Sequence, residues 1–477
     1  MRVSRFYDLP VGQDALDFVD VDVTGDDPLF VDPRALRTLR TPWADECVTL
    51  IQDFFGVILE EMRRERHEQA VHLLRHLREP NETHLGMSTG EAHGHALGPQ
   101  SAESLWRALV ESEAMQSGLL EDLEDTVLMI DGISFDIVSD ISTNIIREPL
   151  IRFTQSQASI HGIEMERVDS GPLWDPSQQQ WTQEFVELPT PNKRRLLLVP
   201  KVIVRKKLHY EPEDYFSNYV LTYLMEQEIS ANSELVQLLK DGTPRVTKKA
   251  LRAKYGSGKR IAVEITKLHP EILVEYRAAK SRQGPAALDH DELAASAQGA
   301  AAPDWEALLG AVLAITPGRE QADDYHRAIQ ALLTPLFHPN LVMPERESAL
   351  HQGRKRIDIT YANRAEDGFF AWVSKHQPAT YIIVECKNYD GDPANPELDQ
   401  IAGRFAPSRG KIGLLVCRTL TDKQLFIERC RDTASDQRGF VIPLDDEDLR
   451  VLVKARAEGD ETALFAALKG RFDTLVM

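Results

Sequence analysis

At 477 residues the chain is too long for one ordinary hydrophobic core, so two or three domains are expected. Its 42% apolar and 27% charged residues exclude a disordered chain, and no run approaches the roughly 20 apolar residues of a membrane span. The formal charge of −20 argues against a nucleic-acid binder, yet from Pro317 onward 22 Lys and Arg stand against 25 Asp and Glu, so the acidity belongs mainly to the first two thirds.

Met1 to Pro10 lack a basic start followed by an apolar run, so no secretory signal is expected. Leu16 to Pro33 alternates apolar and acidic residues and turns at Thr24-Gly25-Asp26-Asp27, which predicts a strand and hairpin. Glu46 to Arg64 carries Leu50, Ile51, Phe54, Phe55, Ile58, Leu59 and Met62 at helical spacing. Glycines recur every fourth position from Gly86 to Gly98 ahead of a predicted helix. Such a loop can cradle phosphate or simply cross the surface, and it lacks the Gly-Lys-Ser/Thr ending of a Walker loop. His84, His93 and His95 in the same stretch have no acids or cysteines in register to complete a metal site.

Thr126 to Ile130 reads as a buried strand and Asp140 to His161 as one long helix. Between them Asp131 to Thr143 holds three aspartates. The segment is either a second carboxylate site or a turn in which Asp136 and Ser139 or Asp140 cap the helix. Arg194 to Lys206 reads as a strand with basic flanks, and Tyr215 to Leu239 as a helix. Glu234 to Lys259 resembles a helix-turn-helix, in which Arg245, Lys248, Lys249, Arg252 and Lys254 would meet nucleic acid. The alternative is two packed surface helices.

Ser281 to Asp304 is rich in Ala, Gly, Ser and Pro and reads as a flexible linker. Beyond it, Trp305 to Ile315 and Glu320 to Leu333 are predicted helices. RIDITY (Arg356 to Tyr361), YIIVECK (Tyr381 to Lys387) and IGLLVC (Ile412 to Cys417) are predicted strands. Glu397 to Phe405 and Leu425 to Asp432 are predicted helices. The expected organisation is a mixed α/β recognition or regulatory unit over 1–165, a second α/β unit over 166–281, the linker over 282–304, and a carboxyl-terminal domain over 305–477. Its fold class is α/β (α+β) and multidomain, with a central mixed β-sheet flanked by helices at the carboxyl-terminal end. Cys47, Cys386, Cys417 and Cys430 stand singly, which points to reduced thiols in a cytoplasm.

Residues i and i+2 of a strand share a face, so Glu385 and Lys387 project together while Cys386 faces the other way. Asp358 stands between Ile357 and Ile359 in the preceding predicted strand. Carboxylates in such apolar settings are expensive unless paired or bound to a cation, and a hard-cation site explains the set best. The bland alternative, a solvated Glu-x-Lys pair on an exposed strand, fits poorly within YIIVECK.

With Gly353 to Asp358, Val384 to Tyr389 and Pro396 to Gln400, the stretch from Arg319 to Leu452 resembles the restriction-endonuclease-like PD-(D/E)xK superfamily. One departure is Ile357 where the motif has proline. The resemblance implies Asp358, Glu385 and Lys387 as catalytic residues, and Mg²⁺, with Mn²⁺ as substitute, held by Asp358, Glu385 and the backbone carbonyl of Cys386. Gln400 would point to the same centre. A further acid on the leading helix, Glu320, Asp323 or Asp324, would join the metal's surroundings or belong to a solvated face. Arg354, Lys355, Arg356, Arg404, Arg409 and Lys411 are candidate phosphate contacts. Arg418 would serve as a phosphate contact or as a partner for one of the acids Asp445 to Asp448.

The function so implied is a metal-dependent endonuclease acting on DNA, of the restriction or antiviral-defence kind, with the amino-terminal part sensing or autoinhibiting. A homodimer or higher oligomer and an activating ligand or partner protein are further expectations. The alternatives are a repair or recombination nuclease on branched or broken DNA and a non-cleaving DNA-binding or assembly protein.

Overall fold

YIIVECK and IGLLVC are nearly continuous apolar runs, the pattern of strands covered on both faces, and both form strands at those bounds. The computed structural model describes residues 1–39, 41–86, 99–284, 286–290, 292–293, 303–350 and 355–476, with side chains for all of these except 99–104, 115, 283, 347–350 and 355–357. In the carboxyl-terminal region the order is α1 (Trp305–Ala314), α2 (Ala322–Phe337), β1 (Leu341–Leu350), β2 (Lys355–Asn363), α3 (Gly368–His376), β3 (Tyr381–Lys387), α4 (Asn395–Ala402), β4 (Ile412–Cys417), α5 (Lys423–Ser435), β5 (Phe440–Leu444), α6 (Asp446–Ala457) and α7 (Glu461–Val476).

These strands form one mixed sheet of five, in the order β5-β4-β3-β2-β1. The β1–β2 and β2–β3 pairs are antiparallel, and β3–β4 and β4–β5 are parallel. Parallel neighbours need a crossover, which α4 and α5 supply. Helix α2 packs on β1, β2 and β3, and α4, α5 and α7 pack on β5. Five of the elements, β1, α3, β5, α6 and α7, extend the expected set. The stretch from Asp367 to Pro378, between Asp358 and Glu385, contains α3.

A glycine fixes how closely α4 approaches. Gly413 stands opposite Ile383 in the β3–β4 register. A methyl group there would lie 2.7 Å from Ile401 Cδ1 and 3.0 Å from Phe405 Cζ. Ile383 and Gly413 share their face with Glu385 and Lys387. The missing side chain therefore seats α4 against the face that carries the two charged residues.

The amino-terminal region is mainly helical. Pro42–Arg63 starts with the Thr41 hydroxyl accepting from the Ala44 N–H at 3.1 Å and proline at its first position. One apolar core runs from Val3 to Leu293 and takes in Val342 and Ala362 of β1 and β2. Among the described residues no helix is long and apolar enough to cross a membrane, and all four cysteines are free and buried.

Several expectations fail here. Residues 126–130 belong to helix Asp125–Met129 and its end, not a strand; all are buried, so no periodicity distinguishes the two. Leu16 to Pro33 forms isolated bridges and a two-residue strand, Phe30–Val31, and no hairpin. Its acids turn inward, and Asp20 accepts from the Ser4 N–H and hydroxyl at 2.8 and 2.6 Å. Arg194 to Lys206 contains only the strand Val204–Arg205. Its amides go to scattered acceptors, Leu197 to Glu82 O and Leu198 to Thr154 Oγ1.

The long helix divides into Phe135–Ile145 and Arg147–His161, and Ser134, not Asp136 or Ser139, caps the first. Leu239 lies beyond the helical stretch that ends at Ser230. The first helix of the expected helix-turn-helix is a hairpin, Gln237–Leu238 with Pro244–Arg245. Gly90, Gly94, Gly98, His93 and His95 lie outside the described residues, as does much of the expected linker.

Candidate active site

The β2–β3 pairing runs from Ala362↔Tyr381 to Ile359↔Val384. Asp358 is the next residue of β2, which places it opposite Glu385 and on the same face. Beyond that last pair Asp358 takes a main-chain donor with its side chain: Oδ2 accepts from the Cys386 N–H at 2.9 Å. His326 Nε2 of α2 lies 3.8 Å from the same oxygen. Sequence reasoning passed over His326, and its only signal is a place on the leading helix beside the acids Asp323 and Asp324.

The Glu385 carboxylate is fully buried and meets two cations. Lys387 Nζ donates to Oε1 at 2.8 Å, and the Arg404 guanidinium pairs with Oε2. Lys387 also donates to Gln400 Oε1 at 3.1 Å, from the exposed end of α4. Arg404 stands just after α4. Burial pulls its pKa below the usual guanidinium range, while the Asp358 charge opposes that shift. The site thus brings Asp358, Glu385, Lys387 and Gln400 together as expected, and adds Arg404 as a counter-charge within it.

Arg404 was expected to face phosphate. It is instead buried against Glu385, because a wholly desolvated carboxylate needs compensation. Arg409 donates to the Arg404 carbonyl at 3.1 Å, and Lys411 to the Gln437 carbonyl at 3.1 Å. Both precede β4, whose first residue pairs with Ile382 while its last pairs with Lys387. Their backbone therefore lies at the strand end opposite Lys387, and Lys411 does not flank the site. Arg354 lies outside the described residues; Lys355 and Arg356 belong to β2, with side chains not described.

On the helix Lys248–Tyr255, Lys248 donates to Asn218 at 2.9 Å, and Arg252 pairs with Glu213 and donates to Ser217. Lys249 is exposed. Lys254 pairs with Glu228. Three of its four expected nucleic-acid contacts are therefore engaged within the chain, as surface helices commonly are.

Other polar residues shape the surroundings. Asp323 pairs with Arg327 and, at 2.6 Å, with Arg346, and Asp324 lies 3.7 Å from Arg327. These acids face arginines and not Asp358. The Asn388 amide donates to the carbonyls of Thr316 and Gly318, both at 3.1 Å, which ties the loop before α2 to the end of β3. Arg418 Nε lies 3.1 Å from Asp446 Oδ2 and its guanidinium donates to the carbonyls of Val312 and Ile315. That agrees with the acid-partner reading.

Among the described residues no group of three or more His, Cys, Asp or Glu could hold a metal ion. A cation at this site would take two carboxylates, Asp358 and Glu385, and main-chain oxygen. Both oxygens of Glu385 are already paired, Oε1 with Lys387 and Oε2 with Arg404, so a cation fits this carboxylate only in the place of the Arg404 guanidinium.

Residues 8–211 match a domain of unknown function, DUF8370. No curated protein and no solved structure matches the chain. The matched stretch ends well before α2 and contains none of the residues of this site.

Proposed function

We propose that the carboxyl-terminal region is a restriction-endonuclease-like, divalent-metal-dependent nuclease acting on DNA. The observation that carries the reading is the placement of Asp358, Glu385 and Lys387 on one face where the β2–β3 pairing stops, with Gln400 holding Lys387. An antiparallel three-strand run followed by two parallel strands also suits that fold.

Asp358, Glu385 and the Cys386 carbonyl would hold Mg²⁺, which supplies a Lewis acid for the phosphate and lowers the pKa of a bound water. Lys387 then orients the attacking water and offsets the charge that builds on the phosphate oxygens. Gln400 limits the rotamers of Lys387. Arg404 must leave Glu385 Oε2 for the carboxylate to take a metal, so the paired arrangement is a resting form. The Cys386 N–H fixes the orientation of Asp358.

The test is cleavage of supercoiled plasmid by the full chain in Mg²⁺, Mn²⁺ or EDTA. Asp358→Ala and Lys387→Ala are each expected to lower the metal-dependent rate by at least roughly 100-fold, about 2.7 kcal/mol. Cleavage that persists in EDTA, or in both variants, would remove the proposal.

A further inference from the structure

The carboxylates, the lysine and the arginine at the centre of the site cancel in charge. Asp358 and Glu385 supply two negative charges, and Lys387 and Arg404 supply two positive ones; Arg404 pairs with Glu385 and lies within the field of Asp358. The balance matters because water is excluded: the Glu385 side chain is 0% exposed and that of Arg404 is 5% exposed. Charge left uncompensated in such surroundings is expensive. A divalent cation disturbs this balance. In the place of the Arg404 guanidinium it leaves a surplus of one positive charge, which one phosphodiester removes.

The chain around Arg404 suits an exchange of partners. Gln400 and Arg404 are four residues apart at the end of α4, and Gly403 between them keeps right-handed helical dihedrals, φ −68° and ψ −4°. Both side chains therefore leave the same face. Gln400 is exposed and accepts from Lys387, whose side chain is 16% exposed, so the open rim of the site lies one helical turn from Arg404. Arg409 donates to the Arg404 carbonyl at 3.1 Å, which holds the main chain while the long side chain turns.

We infer that Arg404 is an internal counter-ion that excludes the divalent metal until a DNA phosphodiester draws it off Glu385, so that metal and DNA bind this site cooperatively. The inference rests on the nuclease reading and adds a control to it. Without DNA the guanidinium has no anion to move to, and its departure leaves both a desolvated carboxylate and an unpaired cation. At the rim, phosphate oxygens match its planar fork and form charge-assisted hydrogen bonds with it. Because linkage is reciprocal, DNA tightens the metal by the factor by which the metal tightens DNA. The chain thus keeps its metal centre closed while no substrate is present.

The test is Mn²⁺ binding to the full chain, read from the electron paramagnetic resonance signal of the free ion, alone and with a short DNA duplex. A second duplex of the same sequence carries uncharged methylphosphonate linkages. Mn²⁺ held by the duplex itself is measured with Asp358→Asn and subtracted. The phosphodiester duplex is expected to tighten Mn²⁺ binding by at least about tenfold, and the uncharged one to leave it unchanged. Arg404→Gln should bind Mn²⁺ at least about tenfold more tightly than the parent without DNA, and gain less than about threefold from DNA. The comparison of duplexes needs no substitution in Arg404, so it decides the matter if Arg404→Gln does not fold. Parent binding that exceeds that of Asp358→Asn yet is equal with and without the phosphodiester duplex would overturn the inference and leave the nuclease reading standing. So would tightening by DNA that persists in full in Arg404→Gln. Parent binding no stronger than that of Asp358→Asn in every condition would remove both.

Discussion

Two cations converge on one fully buried carboxylate, Glu385, and they differ in what they can do. Lys387 sits at the rim and also reaches Gln400, whereas Arg404 is buried. Arg404→Ala should therefore lower stability by roughly 3–5 kcal/mol in EDTA, since it leaves buried charge under-compensated. Mg²⁺ should restore much of that loss under the proposed function, because it occupies the vacated place. Denaturant titrations with and without the metal would measure both, and an equal loss in each would show that arginine and metal do not compete. At this scale the sequence revealed Glu385 and Lys387, because a spacing of two on a strand fixes a shared face. It could not reveal that Arg404, 19 positions further on, would turn inward. That depends on how α4 packs.

Among the elements, the short helix α4 carries much of the site's geometry. The Ala394 N–H donates to Glu397 Oε2 at 2.8 Å at its start, and Gly413 admits its Ile401 side chain close to the sheet. Strands buried on both faces were legible because they are short, apolar and rich in branched residues. The short helix Asp125–Met129 was misread because all five of its residues are buried, so it shows no period.

The helix Phe135–Ile145 contains a carboxylate in an unfavourable place. Burial raises the Asp140 pKa from 3.8 to about 8, with the charges of Asp136, Glu79 and Asp26 adding to the shift. The folded pKa lies above the unfolded one, so the protonated acid stabilises the fold fully below about 3.8, and that contribution is lost as pH rises towards 8. Asp140→Asn, neutral at every pH, should be more stable than the parent near pH 8 and little different near pH 4. Thermal unfolding across that range checks it; a pH-independent difference would mean that Asp140 does not titrate there.

Across the whole molecule, the amino-terminal core extends onto the sheet that carries the site. Asp17 accepts from the Met343 N–H of β1 at 3.1 Å, and Lys201 donates to the Asp14 carbonyl at 3.0 Å. Both charged residues are almost fully buried. Burial pushes Asp17 up to about 7 and Lys201 down to about 8, while the charge of each opposes the other's shift. Lys201→Met should cost roughly 3–5 kcal/mol, and adding Asp17→Asn should recover a good part of it. A denaturation cycle over the four proteins measures this coupling; additive losses would show that the two charges do not support each other.

The sequence by itself determined three strands of the sheet, the shared face of Glu385 and Lys387, and the acid on the strand before them. These are local properties, set by a period of two and by apolar runs. Only the tertiary structure decided that Asp358 takes the Cys386 amide, that His326 stands beside it, and that Arg404 neutralises Glu385. Those partners lie far apart along the chain, and desolvation selects them only once packing has removed the water that would otherwise serve each charge.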